Sequence, residues 1–163
     1  MKKKKKKKTV LVHKKISNVP YIIVTVILVA IIVCVALLFL RSYKNVNYVT
    51  ATIGKTPYSL EVADTAAARE KGLSERDSLP ANTGMLFVFE KSADWRIWML
   101  QMRFPIDIAW LNDNKQIVHI KHNATPAEYP ELYKADQLSR YVIEVSSGAF
   151  EAQGVKVGDS ISF

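Results

Sequence analysis

The sequence predicts an α+β domain that is mainly antiparallel β, a small and partly open β-barrel-like body with two short helices, preceded by one transmembrane helix. Three observations support this. About seven short apolar or β-branched segments, separated by turn-forming residues, follow residue 47. In the same part, one short stretch is rich in helix formers and a second has room for one or two helical turns. Before them lies an uncharged run, residues 21–40, and a helix needs roughly 20 apolar residues to cross a bilayer.

The basic residues are concentrated at the start of the chain. Residues 1–44 hold ten Lys and one Arg and no acid, whereas residues 45–163 hold 12 basic and 15 acidic residues, a net charge of −3. Phosphate binding needs a basic face on the folded module, so the composition disfavours a nucleic-acid-binding domain.

The charge pattern also predicts topology, because Lys and Arg that flank a span stay on the cytoplasmic side. Seven consecutive Lys, residues 2–8, precede the apolar run, and only Arg41 and Lys44 follow it before the first acid. The run is longer than the apolar region of a cleaved signal peptide, about 7–15 residues. We therefore expect a single-pass signal-anchor in the cell membrane, divided into a basic cytoplasmic tail at 1–18, a lipid-contacting transmembrane helix at 19–41, a spacer at 42–47 and an extracytoplasmic domain at 48–163.

The domain opens with a predicted β-hairpin and a short helix. Residues 48–53 and 58–63 are β-prone and flank a Gly-Lys-Thr-Pro turn. Asp64 is the predicted N-cap of a helix over residues 65–71. Gly72 then stands where a left-handed C-terminal residue is favoured.

Later segments predict further strands. The continuous apolar run 84–89 suits a buried strand. Residues 124–138, with two prolines, predict a long loop, and residues 147–154 have room for one or two helical turns. The other strand candidates are 95–99, 106–111, 116–121, 141–145 and the end of 155–163.

The part of the chain after residue 47 carries a series of landmarks, which are in order Ala63-Asp64-Thr65, Arg69, Gly72-Leu73, Arg76, Leu79-Pro80, residues 84–89, Trp98-Met99, residues 105–108, residues 141–145, Gly148 and residues 154–159. Together these landmarks resemble the domain-of-unknown-function family 192, a family of small prokaryotic domains that are often exported or anchored. The resemblance covers about residues 48–163 and implies a compact, mainly β barrel-like fold with no established activity. The family usually has Lys-Asn-Thr after its Trp-Met pair, whereas this chain has Leu-Gln-Met-Arg-Phe at 100–104.

Asp107 is the most informative acid in the sequence. In strand geometry it shares a face with Ala109 and Leu111, which predicts partial burial. A buried carboxylate is paired or has a raised pKa. Asp107 is therefore either a ligand-binding or acid/base carboxylate with Arg76 or Arg103 as its partner, or a structural carboxylate that accepts backbone N–H bonds.

Three more residues join Asp107 and Arg76 as ligand-binding candidates. In strand geometry Trp98 lies on the face opposite Trp95 and Ile97. Aromatic rings at this density can line an apolar or sugar-stacking cleft, or they can belong to the core. Gln101 and Arg103 lie in the stretch that departs from the family pattern. If that stretch lines a shared site, this chain has changed its polar groups.

The sequence contains no motif that fixes a catalytic set, so the catalytic residues stay unknown. No nucleophile elbow or phosphate loop is present. A glycosidase-like pair among Glu61, Asp107 and Glu144 would depend on a separation that a sequence does not give. His119 and His122 are three apart on a strand end and so face opposite ways, and we expect no metal and no cofactor.

These observations favour a membrane-anchored extracytoplasmic module that binds a small molecule or a glycan. One alternative is an acid/base enzyme centred on Asp107, which is less favoured because no catalytic motif accompanies it. The other is a structural or accessory envelope protein that binds a protein partner through a surface patch.

Overall fold

The computed structural model describes residues 19–42 and 46–163, and the chain divides into two compact units at residue 45. In the first unit, helix α1 spans Val19–Ser42. Within the two described ranges, no helix has both the length and the apolar character needed to cross a membrane. The predicted helix at 19–41 is thus present, but its role as a membrane span is not supported and stays a prediction. The predicted tail 1–18 and spacer residues 43–45 lie outside the described residues.

The second unit is an α+β domain built on one six-stranded sheet. The strand order is β1-β2-β3-β6-β4-β5, in which β2 and β3 are parallel and the other neighbours antiparallel. This confirms the predicted α+β class and the mainly antiparallel pairing. The elements are β1 (Tyr48–Ile53), β2 (Thr56–Ala63), α2 (Ala66–Lys71), β3 (Thr83–Ala93), β4 (Ile106–Leu111), β5 (Ile117–Ala124), a 3-10 helix (Pro126–Glu128), β6 (Ser139–Ser146) and α3 (Ala149–Ala152).

The sheet is open, with β1 and β5 at its edges. The C-terminal segment bridges to both sides, since Ser162 pairs with Thr52 of β1 and Ser160 pairs with Gln116, just before β5. These are single bridges, and in the described part of the chain no strand ladder joins β1 to β5. The structure therefore has an open sheet where the sequence predicted a partly open barrel, and isolated bridges where it predicted a last strand.

Both faces of the sheet are buried, and side-chain alternation assigns each residue to one of them. Face A carries Phe87, Ile108 and Trp110 and is covered by the segments that follow α2 and β3. Face B carries Ala109 and Ile143 and is covered by α3 and the C-terminal segment. The two faces hold separate hydrophobic clusters, so the sheet divides the domain into two compartments.

Two predicted elements are corrected by the structure. The N-cap of α2 is Thr65 rather than Asp64, because the Thr65 hydroxyl accepts a hydrogen bond from the backbone N–H of Ala68 at 3.2 Å. Residues 95–99 form no strand, although Ile97 exchanges backbone hydrogen bonds of 2.9 and 2.8 Å with Tyr133 in a single bridge.

A cleft on face A with a buried carboxyl group

A small cleft opens on face A between the last turn of α2 and residues 96–102. Its volume is about 40 Å³, which is room for about three water molecules. We call it the Glu144 cleft, after the carboxyl group among its lining residues. The lining consists of Arg69, Glu70, Lys71, Gly72, Leu73, Ser74, Phe87, Arg96, Ile97, Trp98, Met102 and Glu144.

Arg69 fixes one wall of the Glu144 cleft by joining α2 to the sheet. Its guanidinium donates to the carbonyl oxygens of Asp64 at 2.7 Å and Val88 at 2.8 Å. It also lies 5.1 Å from the centre of the Phe89 ring, which stacks on Trp95 at 4.0 Å. The stacking of Arg69, Phe89 and Trp95 holds the Trp95 ring against the sheet. This explains why residues 95–99 do not form the strand that their alternating apolar residues predict.

Glu144 lies on face A of β6 and is the least expected feature of the cleft. Glu144 is 4% exposed as a residue, and in the described part of the chain no hydrogen bond or ion pair reaches its carboxyl group. Burial raises its pKa to about 8, although the nearby positive charge of Arg76 acts in the opposite direction. At pH 7 the group is therefore mostly an uncharged carboxylic acid, which can donate one hydrogen bond and accept others.

Arg76 lies close to this group but pairs with a different acid. Its guanidinium forms an ion pair with Glu61 of β2 at 2.7 Å, with both side chains partly buried. Glu61 and Glu144 both belong to face A. There Arg76 neutralises the charge of Glu61, and its positive charge lowers the pKa of Glu144. Two of the three carboxyl groups considered for a catalytic pair thus share one compartment of the domain.

Of the three predicted site residues at 98–103, one lines the Glu144 cleft and two do not. Trp98 lines the Glu144 cleft and is 44% exposed. Gln101, at a positive φ of 56°, accepts from the Glu75 backbone N–H at 2.9 Å. It lines a neighbouring cavity of about 290 Å³, which shares Glu70, Lys71 and Ser74 with the cleft. Arg103 instead forms an exposed ion pair with Asp77 at 2.5 Å.

Asp107 is on face B, and the sheet separates it from the cleft. It is 0% exposed; its carboxylate accepts from the backbone N–H groups of Asn123 at 2.9 Å and Phe150 at 3.3 Å. Nδ1 of His122 lies 3.7 Å from the same carboxyl group. The predicted pairing of Asp107 with Arg76 or Arg103 is therefore wrong, and its contacts are those of the structural alternative.

His122 lines a broad surface cavity on this second side of the sheet. The cavity measures about 480 Å³ and is also lined by Glu151, Gly154 and Val155. Asp107 is not among its lining residues. Among the described residues, no three His, Cys, Asp or Glu side chains come together as a metal site.

Sequence reasoning found part of the cleft and missed its buried acid. Of the residues that the sequence predicts for a ligand site, Trp98 lines the cleft, whereas Arg76, predicted as a partner of Asp107, is not among the lining residues. The sequence predicts Glu144 only as one of three acids, whose separation it does not give. A lone acid in the middle of the apolar strand sequence Tyr-Val-Ile-Glu-Val was the signal that could have singled it out.

Comparisons with known proteins agree on the fold and give no activity. Residues 49–163 match the model of a family described as "DUF192: Uncharacterized ACR". A UPF0127 protein of Thermococcus gammatolerans is 31% identical over 106 residues, which are 64% of this chain. The matched region spans 65% of the length of that relative, somewhat less than two thirds.

Two solved structures resemble the domain closely. One is a candidate transcription regulator from Sinorhizobium meliloti, 25% identical, with a TM-score of 0.66 over 72% of this chain and 96% of the other. The second is a protein of unknown function from Novosphingobium aromaticivorans, 26% identical, with a TM-score of 0.68 over 74% of this chain and 89% of the other.

Proposed function

We propose that this chain, which belongs to the uncharacterised DUF192 family, is a membrane-anchored extracytoplasmic module that binds a small polar molecule in the Glu144 cleft. The observation that carries the proposal is the carboxyl group of Glu144, which is 4% exposed and has no protein partner among the described residues. A buried polar group without a partner is destabilising unless something else satisfies it. A ligand in the cleft would supply that partner.

The cleft has the mixed character of a small-molecule site. Phe87, Ile97 and Met102 provide apolar walls, while Glu144 and the rim cations provide a few polar groups. Sites that hold drug-sized ligands measure about 300–1,000 Å³, whereas this cleft measures about 40 Å³. A small molecule therefore fits better than a glycan, which would have to extend into the neighbouring 290 Å³ cavity beside Gln101.

A thermal-shift screen of small polar metabolites and cell-wall sugars tests the binding proposal. The protein is the full chain in detergent, compared with Trp98→Ala, which removes the exposed ring of the cleft. Tyr48→Ala is the matched control, because Tyr48 is an exposed aromatic residue on β1, at an edge of the sheet. We expect a subset of compounds to stabilise the wild type and the control but not Trp98→Ala. Equal responses of all three proteins to every compound would contradict the proposal.

The membrane anchor in this proposal is supported by sequence alone. Support comes from the uncharged run at residues 21–40 and from the Lys-rich residues before it. Protease added to intact cells should then remove residues 46–163 and leave the N-terminal part protected. A C-terminal domain that survives in intact cells but is digested after lysis would contradict this topology.

Binding to an envelope protein is the second candidate, and one surface feature favours it. The bridge between Ile97 and Tyr133 places Trp98 opposite Leu132, and these two side chains are 44% and 46% exposed. Apolar neighbours on a surface are typical of a contact site when they extend into a larger patch. Leu132→Glu discriminates the two candidates, because Leu132 does not line the cleft. This change should abolish cross-linking to a partner and leave ligand binding intact.

The two other candidate roles have less support. An acid/base enzyme centred on Asp107 needs a carboxylate that substrate can reach, and this one is 0% exposed with two backbone N–H donors bonded to it. Transcription regulation, suggested by the description of the Sinorhizobium meliloti protein, would require nucleic-acid contacts. The net charge of −3 over residues 45–163 disfavours them.

A further inference from the structure

We infer that the ligand of the Glu144 cleft is a short-chain monocarboxylate, a small oxyanion with an apolar tail. This inference rests on the proposed binding function and adds the chemical class of the ligand. Its basis is the combination in one cleft of a buried carboxyl group without a protein partner, cations at the rim and apolar walls.

The charges around the cleft favour an anion over a cation. Three lining side chains are cationic, Arg69 and Lys71 of α2 and Arg96 of the opposite wall, and Glu70 is the one exposed acid among the lining residues. Arg96 also forms an ion pair with Asp94 at 3.2 Å, in which both side chains are about half exposed. The lining residues thus carry more positive than negative side chains at the surface, which repel a cationic ligand and attract a carboxylate.

Glu144 supplies the contact that a carboxylate needs at the base of the cleft. In its protonated form it donates an O–H hydrogen bond to one ligand oxygen, and a hydrogen bond of this charged type is short and strong. The titratable and charged groups that face it are Arg69, Glu70 and Lys71 from α2, Arg96 from the facing segment, and the Arg76–Glu61 pair. An ionised Glu144 would repel the ligand, so binding weakens as this group loses its proton.

The apolar walls and the volume limit the ligand to a short chain. The apolar walls of the cleft are formed by Phe87, Ile97 and Met102. These side chains offer no hydrogen-bond donor to the oxygen atoms of a bare phosphate or sulfate. Room for about three water molecules suits an ion of about four or five non-hydrogen atoms, such as acetate or propionate. The binding free energy that a small ligand can gain per non-hydrogen atom has an upper limit. For about four such atoms, this limit gives a dissociation constant no lower than about 40 μM.

Calorimetric titration of the full chain in detergent tests the inference with sodium acetate and sodium propionate. Acetamide and methylammonium serve as the neutral and cationic probes of similar size, with chloride holding the ionic strength constant. Titrations from pH 6.5 to 9.5 compare the wild type with Glu144→Gln, which keeps a hydrogen-bond donor but does not titrate. Glu151→Gln, on α3 on the other side of the sheet, is the matched control.

We expect saturable binding of both carboxylates and at least tenfold weaker binding of acetamide and methylammonium. In the wild type and in Glu151→Gln, affinity should fall about tenfold per pH unit above the pKa of Glu144, about 8. Glu144→Gln should bind acetate with no such fall, and Arg96→Gln should bind it several-fold more weakly.

Three results would overturn the inference. If acetamide or methylammonium binds as well as acetate, and Trp98→Ala abolishes that binding, the ligand class is wrong and the binding function stands. If Glu144→Gln shows the same pH dependence as the wild type, the carboxyl group does not contact the ligand. If none of the probes binds, the inference is wrong, and the wider screen decides separately whether the cleft binds anything.

Discussion

Glu144→Gln should remove a specific pH dependence from the stability of the domain. Burial raises the pKa of Glu144 from 4.5 to about 8 in the folded state, whereas in the unfolded chain the group titrates at its ordinary value. Between these pH values the folded state binds more protons than the unfolded state, so the free energy of unfolding decreases as the pH rises. The folding equilibrium constant then decreases up to tenfold per pH unit, and stability falls by about 3.5 kcal/mol between pH 5 and pH 8.

Urea unfolding of the full chain in detergent at several pH values measures this effect. Other carboxyl groups also titrate, so the informative quantity is the difference between the wild type and Glu144→Gln at each pH. Gln mimics the uncharged acid, and we expect the two proteins to have similar stability at pH 5 and Glu144→Gln to be about 4 kcal/mol more stable at pH 8. Glu151→Gln should follow the wild type. A difference that stays within about 1 kcal/mol over the whole range would refute an uncharged Glu144 in the folded state.

Three further predictions concern the supports of the cleft and of the sheet. Asp107→Ala should lower the free energy of unfolding by about 3 kcal/mol or more in urea, because two backbone N–H groups lose their buried acceptor; a loss under 1 kcal/mol would contradict the structural role. Arg76→Met removes a cation that lowers the pKa of Glu144, so the Glu144-dependent change in stability should move to higher pH, and an unchanged or lower midpoint would argue against their coupling. Gly84→Ala should destabilise by several kcal/mol in thermal unfolding, because its Cβ would clash with the backbone carbonyl oxygen of Glu144, and near wild-type stability would show that β3 and β6 can separate there.

Much of the fold follows from local patterns in the sequence. The continuous apolar run at residues 84–89 and the turn at residues 112–115 locate β3 and the β4–β5 hairpin, because apolar runs and turn residues act over a few neighbouring positions. The helix formers before Gly72 locate α2, with its N-cap one residue later than predicted. The alternation at Asp107 also predicted correctly that it shares a face with Ala109 and Leu111.

The composition of the cleft did not follow from the sequence, because it depends on strand order. β6 lies between β3 and β4, and only this order places Glu144 beside the Arg76–Glu61 pair while Asp107 turns to face B. Local alternation cannot tell which of two buried faces a strand residue joins. Residues 95–99 alternate as a strand would, but the stacking of Trp95 on Phe89 is a tertiary contact that overrides the local pattern.

The most direct measurement is an NMR titration of the Glu144 side-chain carboxyl carbon in the full chain, with and without acetate. We predict a single titration with a midpoint near pH 8 in the free protein and a higher midpoint with acetate, because the ligand binds the protonated form. A carboxyl carbon that titrates near 4.5, its ordinary value, or that does not respond to acetate, would contradict a ligand site built around an uncharged Glu144.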